Sequence, residues 1–322
     1  MANIPPLSLG GHSVSLLDNY LVIAASGVTS DGWWYHSLKD PRGGLLANPW
    51  KHTKTLGNDA PVHHVSFVYG KDLVLLGGER GTQVALQNAR EENGEWNALR
   101  LTMKSDGSNF EIFPEDACVV KVAKYTFVVL GGKEASNNER SSKVLLINMK
   151  EQNVKEVGSL AFPRAKHACT IIPGSSSSSS TLILVTGGIF DTSTEKDEIY
   201  DVAMRTSRTL DSAMNVPRMN HRMVTLGQIV FALGGQRQPS DDSTLDVIEV
   251  FDPRPNSESW NLHTSSLLSK STNDLAVTEL PMSAVSCNQG CQCGVRSGSR
   301  IIGGVEAEVI SSQSRIFHLT IV

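Results

Sequence analysis

The run Ile229-Val-Phe-Ala-Leu-Gly-Gly235 is the clearest part of a pattern that decides how this chain folds. A polar lead-in, Asn220-His-Arg-Met-Val-Thr-Leu226, precedes it. After a polar loop come Asp246-Val-Ile-Glu-Val-Phe-Asp-Pro253, which alternates apolar and polar residues, and Glu258-Ser-Trp-Asn-Leu262. Alternation with β-branched and aromatic enrichment is typical of strands, and Gly, Pro and Asn mark the breaks. The stretch therefore predicts four short strands separated by turns.

Apolar runs that end in glycine pairs recur along the chain, at Leu73–Gly78, Phe127–Gly132 and Leu182–Gly188, with a degenerate copy at Leu21–Gly27. The second glycines stand at 27, 78, 132, 188 and 235, so the successive gaps are 51, 54, 56 and 47 residues. A period of about 50 residues is typical of four-stranded propeller blades that stack around an axis. The predicted blade-turn glycines are Gly77, Gly78, Gly131, Gly132, Gly187, Gly188, Gly234 and Gly235. Replacing Gly132 or Gly188 by a β-branched residue is expected to destabilise the fold.

The repeats resemble the kelch family over about residues 8–265. In that family an aromatic-Asp-Pro ending and then a Trp follow the glycine pair. Phe251-Asp252-Pro253 and Trp260 supply both features in the last copy, and Tyr200-Asp201 supplies the aromatic-Asp pair in the copy before. Trp50 and Trp96 occupy the Trp position in earlier copies, whereas the third copy departs from the pattern with Asn148 and no Trp.

The resemblance implies an all-β protein, a kelch-type β-propeller over residues 8–286. It would have five recognisable blades, a C-terminal closing strand and an irregular Cys-rich tail. A sixth copy begins at Asn273-Asp-Leu-Ala-Val-Thr-Glu-Leu280 and lacks a glycine doublet. We therefore expect one C-terminal strand to complete a sheet begun elsewhere.

The tail Cys293-Gly-Val-Arg-Ser-Gly-Ser-Arg-Ile-Ile-Gly-Gly-Val-Glu-Ala307 resembles the activation segment of trypsin-like serine proteases. The resemblance implies cleavage between Arg300 and Ile301, and a disulfide through Cys293 that tethers the pro-segment. It divides the tail into a Cys/Gly/Ser-rich linker, 287–300, and a protease stump, 301–322. Cys287, Cys291 and Cys293 are candidates for disulfides; without a fourth ligand they make a poor zinc site.

No catalytic residue is predicted in this chain. The Ala-Ala-His-Cys and Gly-Asp-Ser-Gly-Gly motifs that carry the family's His and Ser are absent from the sequence. Nucleophilic catalysis needs the Ser, the base and the orienting acid together. The chain as written is therefore expected not to hydrolyse peptides by that mechanism.

Composition narrows the range of partners. The formal net charge of −4 gives no basic stripe for nucleic acid, and no apolar run approaches a membrane span. No signal peptide is visible, so we expect an extracellular protein if the protease resemblance holds and a cytoplasmic one otherwise. The chain is expected to be a monomer without a cofactor.

Binding candidates lie in loops and on aromatic side chains. Arg80, Arg140 and Arg237 follow three of the doublets and predict a basic rim for acidic ligands, with solvated arginines as the alternative. Trp33 and Trp34 point to opposite faces of a strand, so one of them either marks a contact site or fills space between sheets.

Two further residue pairs have structural and functional interpretations. The pair His63-His64 suggests either a metal site or ordinary strand histidines, and the second interpretation is favoured because no other ligand stands nearby. Cys118 and Cys169 occupy equivalent strands and are expected to be buried free thiols.

Two functions remain open. One is a protein-binding propeller, the non-catalytic part of a modular serine protease. The alternative is that the full-length product is a trypsin-like endopeptidase with the propeller as its exosite.

Overall fold

A computed structural model describes most of the repeat region and three C-terminal strands. The described residues are 13–17, 20–24, 32–37, 51–55, 64–78, 82–87, 89, 95–110, 112–134, 136–173, 180–189, 196–237, 244–254, 257–263, 276–279, 305–310 and 316–321.

These residues form 24 strands in six sheets. Sheet 1 contains β1 to β4, at Ser13–Leu17, Tyr20–Ala24, Gly32–Ser37 and Lys51–Thr55. Sheet 2 contains β5 to β8, at His64–Tyr69, Asp72–Gly77, Thr82–Gln87 and Glu95–Ala98. Sheet 3 contains β10 to β13, at Cys118–Ala123, Thr126–Leu130, Lys143–Asn148 and Asn153–Ser159, and β9, Thr102–Met103, as a fifth strand.

The second half of the chain repeats this order. Sheet 4 contains β14 to β17, at Ala168–Ile172, Leu182–Thr186, Glu198–Asp201 and Thr206–Thr209. Sheet 5 contains β18 to β21, at Arg222–Leu226, Ile229–Leu233, Ile248–Asp252 and Ser259–His263. Sheet 6 contains β22 to β24, at Ala276–Glu279, Val305–Ile310 and Ile316–Ile321.

The all-β prediction is confirmed, and sheets 1 to 5 match the five predicted four-strand repeats. Consecutive strands within each repeat pair antiparallel, and only β9 joins its neighbour, β13, in parallel. No helix occurs among the described residues, so none there could cross a membrane.

The expected single closing strand was wrong, because the C-terminal region supplies three strands. Ala276–Glu279 begins sheet 6 as predicted, and it pairs with β23, which pairs with β24. The alternating residues of Val305–Ile310 give β22 its ladder partner, and Ile316–Ile321 pairs with the other side of β23. Residues 305–321 therefore contribute two strands to this fold.

The first strands of successive sheets lie next to one another. β1 contacts β5, β5 contacts β10, β10 contacts β14, β14 contacts β18 and β18 contacts β22. β22 also contacts β1. The last sheet therefore adjoins both its predecessor and the first sheet.

Apolar cores lie between consecutive sheets. Phe67 of sheet 2 stacks on Phe127 of sheet 3 with ring centroids 3.8 Å apart. Sheets 3 and 4 share a cluster that includes Val128, Ile183 and Tyr200, and sheets 4 and 5 share another. The described clusters of sheets 1 to 5 thus lie between neighbouring sheets, as expected of stacked four-stranded units.

The glycine doublets mark the places where adjacent repeats touch at one end of the sheets, which we call the doublet end. A Cβ on Gly131 would lie 2.7 Å from the carbonyl oxygen of Arg164, in the lead-in to the next repeat. A Cβ on Gly132 would lie 2.8 Å from the carbonyl oxygen of Glu115, in the lead-in to its own repeat. The first glycine therefore makes room for the following repeat and the second for its own, which explains why two are needed.

Backbone hydrogen bonds join neighbouring lead-ins at the same end. The amide of Lys166 donates to the carbonyl of Asp116 at 3.0 Å, and the amide of Asn220 donates to the carbonyl of Lys166 at 2.9 Å. All three residues have positive φ, between 53° and 58°. The same strained turn thus recurs in three repeats and links sheets that share no β-ladder.

Candidate functional site

A cavity of about 200 Å³ lies among the first strands near the doublet end. We call it the first-strand cavity. It is lined by Ser13, His64, Val65, Ser66, Cys118, Val119, His167, Ala168, Cys169, Arg222 and Met223. Its described lining residues supply hydroxyl, imidazole, sulfur and guanidinium groups, and none of them is a carboxylate. The cavity is therefore suited to neutral or anionic groups.

Side chains link neighbouring first strands across the cavity wall. The Ser13 hydroxyl lies 2.8 Å from Nε2 of His64, and the Ser15 and Ser66 hydroxyls lie 2.7 Å apart, between β1 and β5. The hydroxyls of Thr170 and Thr225 lie 3.0 Å apart, between β14 and β18. These contacts satisfy polar groups that no β-ladder reaches at the boundaries between sheets.

A disulfide joins Cys118 of β10 to Cys169 of β14, with their Cα atoms 6.0 Å apart. The prediction of buried free thiols was therefore wrong, although both residues lie in the equivalent first strands as predicted. Neighbouring first strands bring the two Cα atoms within the separation that a disulfide requires. Burial alone predicts free, unreactive thiols, and the pairing becomes apparent only from the distance between the two strands.

Two histidines beside the cavity are held neutral. Burial, with the nearby Arg164 and Arg222 guanidinium groups, lowers the pKa of His167 to about 3. Burial, followed by the charge of Arg218, holds the pKa of His221 well below its usual range. Neither imidazole supplies a positive charge near neutral pH, whereas Arg222, in the cavity lining, is a permanent cation.

Two buried ion pairs lie next to the doublet end. Arg164 pairs with Glu198 at 2.7 Å and Arg218 pairs with Glu249 at 2.6 Å, all with fully buried side chains. Each arginine belongs to a Pro-Arg-x-x-His lead-in, and each glutamate lies three residues before the aspartate of its repeat. Sequence reasoning missed them, although the recurrence of both patterns in the fourth and fifth repeats was a usable signal.

Asp197 adds a fifth buried charged residue to this group. Its carboxylate accepts a hydrogen bond from the amide of Met214 at 3.2 Å. Burial raises its pKa to about 7 despite the opposing charge of Arg164. Because two arginines already face two glutamates, the ionised form of Asp197 has no cation of its own.

A second cavity, of about 250 Å³, lies between the connection to sheet 3 and sheet 3 itself. Its apolar lining includes Met103, Phe110 and Ile112, and its polar lining includes Glu134 and Lys143. Ile112 is 48% exposed although it is apolar. This cavity reaches the loop that follows the Gly131-Gly132 doublet, so it lies at the same end as the first-strand cavity.

The structure describes some of the predicted binding residues. Arg237 is exposed in the loop after Gly234-Gly235, and Arg140 is half-buried and forms a backbone bridge with Lys133 in the loop after Gly131-Gly132. Trp33 and Trp34 lie in β3, opposite Ala24 and Ile23 of β2, but their side chains are outside the described part of the chain. The predictions for Arg80, Arg300, Ile301 and Cys287, Cys291 and Cys293 also concern residues outside it.

The histidine pair has an ordinary structural environment where it is described. His64 is buried in β5 and bonds Ser13, and His63 lies outside the described residues. No group of three or more metal-ligating side chains occurs among the residues that the structure describes.

The aromatic-Asp positions close turns at the opposite end of the sheets. The Asp201 carboxylate accepts the amides of Ala203 and Met204 at 2.9 and 2.8 Å. The Asn148 side chain accepts the amides of Lys150 and Glu151 at 3.0 and 3.1 Å. The departure of the third repeat from the pattern therefore preserves the turn, because an Asn oxygen accepts the same hydrogen bonds.

Comparison with protein-family models and with curated proteins finds no match to this chain.

Proposed function

We propose that this chain is a kelch-type propeller of six blades that binds a protein partner at the doublet end. The contacts among first strands, which run from β1 through β18 to β22 and from β22 to β1, support this arrangement. The glycine doublets, which accommodate the lead-ins of adjacent repeats, support the kelch type.

One observation carries the binding role: both cavities and the loops with Arg140 and Arg237 lie at the doublet end. Loops on a rigid scaffold are where propellers and other repeat folds place recognition residues. Arg222 within the first-strand cavity and Arg237 outside it favour a partner segment that carries carboxylates. The role is that of a non-catalytic binding module.

A selection from a phage-displayed random peptide library tests this role. We expect the selected peptides to be rich in Asp and Glu. Reversing the charge of the three predicted binding arginines with Arg80→Glu, Arg140→Glu and Arg237→Glu together should weaken synthetic versions of them roughly tenfold or more. Fluorescence polarisation measures the dissociation constants.

The matched control reverses three exposed lysines in turns at the opposite end of the sheets, Lys71→Glu, Lys124→Glu and Lys150→Glu. This variant carries the same change in net charge and should bind within about twofold of the unmodified chain. Equal weakening by both variants, or a library that yields no acidic peptides, would refute the proposed binding face.

Residues 293–307 support a second proposal, that the chain is part of a modular trypsin-like protease activated at Arg300. In that arrangement the propeller is the exosite of the full-length product. The pairing of Val305–Ile310 with β22 favours the plain binding module instead, because it makes this segment a strand of sheet 6. Read-through of the transcript into His and Ser motifs after Val322 would select the protease.

Limited trypsin digestion of the whole chain tests the activation segment. Gly290–Ser299 is rich in Gly and Ser, which disfavours a packed conformation, so cleavage after Arg300 is expected before cleavage within residues 9–265. Denaturing gels and N-terminal sequencing should identify a new terminus, Ile301-Ile-Gly-Gly. The Arg300→Gln variant should lose this fragment and retain any cut at Arg296 or Arg315. Early cleavage within the repeats, with the Arg300 bond intact, would argue against an activation loop.

A further inference from the structure

We infer that the Cys118–Cys169 disulfide is a reversible modification site for small thiols, which opens and closes a covalent link between sheets 3 and 4. The inference does not depend on the proposed partner. It comes from the position of the bond in the first-strand cavity and from the groups that surround it.

The bond joins two sheets that share no β-ladder. β10 and β14 begin different antiparallel sheets, and the other described links at their ends are backbone hydrogen bonds between lead-ins. At the boundaries between β1 and β5 and between β14 and β18, hydroxyl and imidazole groups make the corresponding links. The boundary between β10 and β14 thus includes, besides its apolar contacts, a covalent bond that changes with redox conditions.

The sulfur atoms are positioned for exchange. Both cysteines line the first-strand cavity; Cys118 is half-buried, whereas Cys169 is only 9% exposed. Both also pack in the apolar cluster between sheets 3 and 4, so the cavity is the route by which a thiolate would approach. Cys118 is the more exposed residue, and we expect the incoming thiolate to attack its sulfur.

The cavity also favours the departing sulfur. Arg222 and Cys169 line the same cavity. A neighbouring guanidinium stabilises a thiolate and lowers the pKa of its thiol, which makes it a better leaving group. His167 is next to this position but is neutral, so the favourable charge comes from Arg222.

The exchange balances with two equivalents of a small thiol such as glutathione. The first thiolate bonds to Sγ of Cys118, and Sγ of Cys169 leaves as a thiolate that takes up the proton released by the attacking thiol. The second thiolate attacks the small-molecule sulfur of the mixed disulfide, and Cys118 is released as a thiol. The protein gains two electrons and two protons, and the small thiols leave as their disulfide.

The test equilibrates the native whole chain in glutathione buffers from fully oxidised to fully reduced, then alkylates free thiols and maps them by peptide mass spectrometry. Peptide mapping separates Cys118 and Cys169 from the three tail cysteines. We expect both residues to change together from linked to alkylated without denaturant, and to return on reoxidation. The bond closes a loop with a sequence separation of 51 residues, so reduction should lower Tm by roughly 5–10 °C.

Two variants separate exchange from general loosening of the fold. Arg222→Gln should slow reduction at least several-fold, and Arg222→Lys, which retains the charge, should restore most of the rate. The Cys118→Ala, Cys169→Ala double variant should have a Tm that no longer responds to glutathione.

Reduction only after denaturation would overturn the inference and leave a permanent structural bond. Free thiols at both positions in the fully oxidised buffer would overturn it as well. Equal reduction rates in the chain and in Arg222→Gln would remove the role assigned to Arg222.

Discussion

Replacing Arg218 by alanine is expected to lower the free energy of unfolding by about 3–5 kcal/mol. The guanidinium lies 2.6 Å from Glu249 Oε1 and donates to the carbonyls of Gly234 and Val247, each at 3.0 Å. Removing it leaves the fully buried Glu249 carboxylate without its cation and leaves two carbonyls without their donor. The loss is large because a buried charge that has no partner cannot recover its hydration.

Urea unfolding followed by tryptophan fluorescence measures the loss. Arg208→Ala is the matched control, because Arg208 pairs with Glu258 while their side chains are 53% and 30% exposed. That exposed pair should contribute no more than about 1 kcal/mol.

Replacing both buried partners tests whether the loss of stability comes from the unpaired buried charge or from the loss of the ion pair itself. An Arg218→Met, Glu249→Leu double variant should recover much of the stability lost by Arg218→Ala, since it leaves no buried charge behind. If Arg218→Ala and Arg208→Ala destabilise the chain equally, the buried pair does not hold the lead-in of the fifth repeat onto its sheet.

The repeat boundaries were predictable from sequence because local rules set them. Period-2 alternation and the glycine doublet place β18 to β21 within about two residues of their positions in the structure. Asn148 departs from the repeat pattern without changing the turn, because an Asn oxygen accepts the same backbone hydrogen bonds as an Asp oxygen.

The links between repeats were harder to predict because they depend on lateral distances that no single repeat encodes. Cys118 and Cys169 were placed in equivalent strands, but their pairing requires neighbouring first strands to bring the Cα atoms to 6.0 Å. The buried arginines could not be predicted for a related reason. An arginine in a polar segment is expected to be exposed, and only the packing of the sheets shows that it is buried. The repeated Pro-Arg-x-x-His pattern was a signal for these arginines, because an arginine that is exposed to solvent has no reason to keep a fixed spacing from a histidine.

The sixth sheet was not predicted, because part of its sequence resembles a protease activation segment. The protease resemblance places Val305–Ile310 in a different domain, whereas in the structure this alternating segment pairs with β22. Periodicity was present in the residues, but pairing partners separated by a long connection cannot be chosen from periodicity alone.

Replacing Gly187 by alanine is expected to destabilise the chain by about 2–5 kcal/mol, and Gly227→Ala should lose only about 1–2 kcal/mol. Both glycines have nearly the same backbone angle, with φ of +60° and +62°, so the strain of a positive φ is common to both variants. A Cβ on Gly187 would overlap the carbonyl oxygen of Arg218 and lie 2.7 Å from Cε1 of His221, whereas a Cβ on Gly227 would have nothing within 4 Å. The difference between the two variants therefore isolates crowding between adjacent repeats.

The crowded atoms leave little room for adjustment. The Arg218 carbonyl accepts the amide of Gly188 at 2.9 Å, and the His221 ring bonds the Thr186 hydroxyl at 3.0 Å. Moving either group would break a buried hydrogen bond, which adds to the cost of the overlap. Thermal and urea unfolding of both variants give the comparison. Equal losses in Gly187→Ala and Gly227→Ala would mean that the doublet serves only to turn the backbone, and that the close approach of successive repeats contributes nothing measurable to stability.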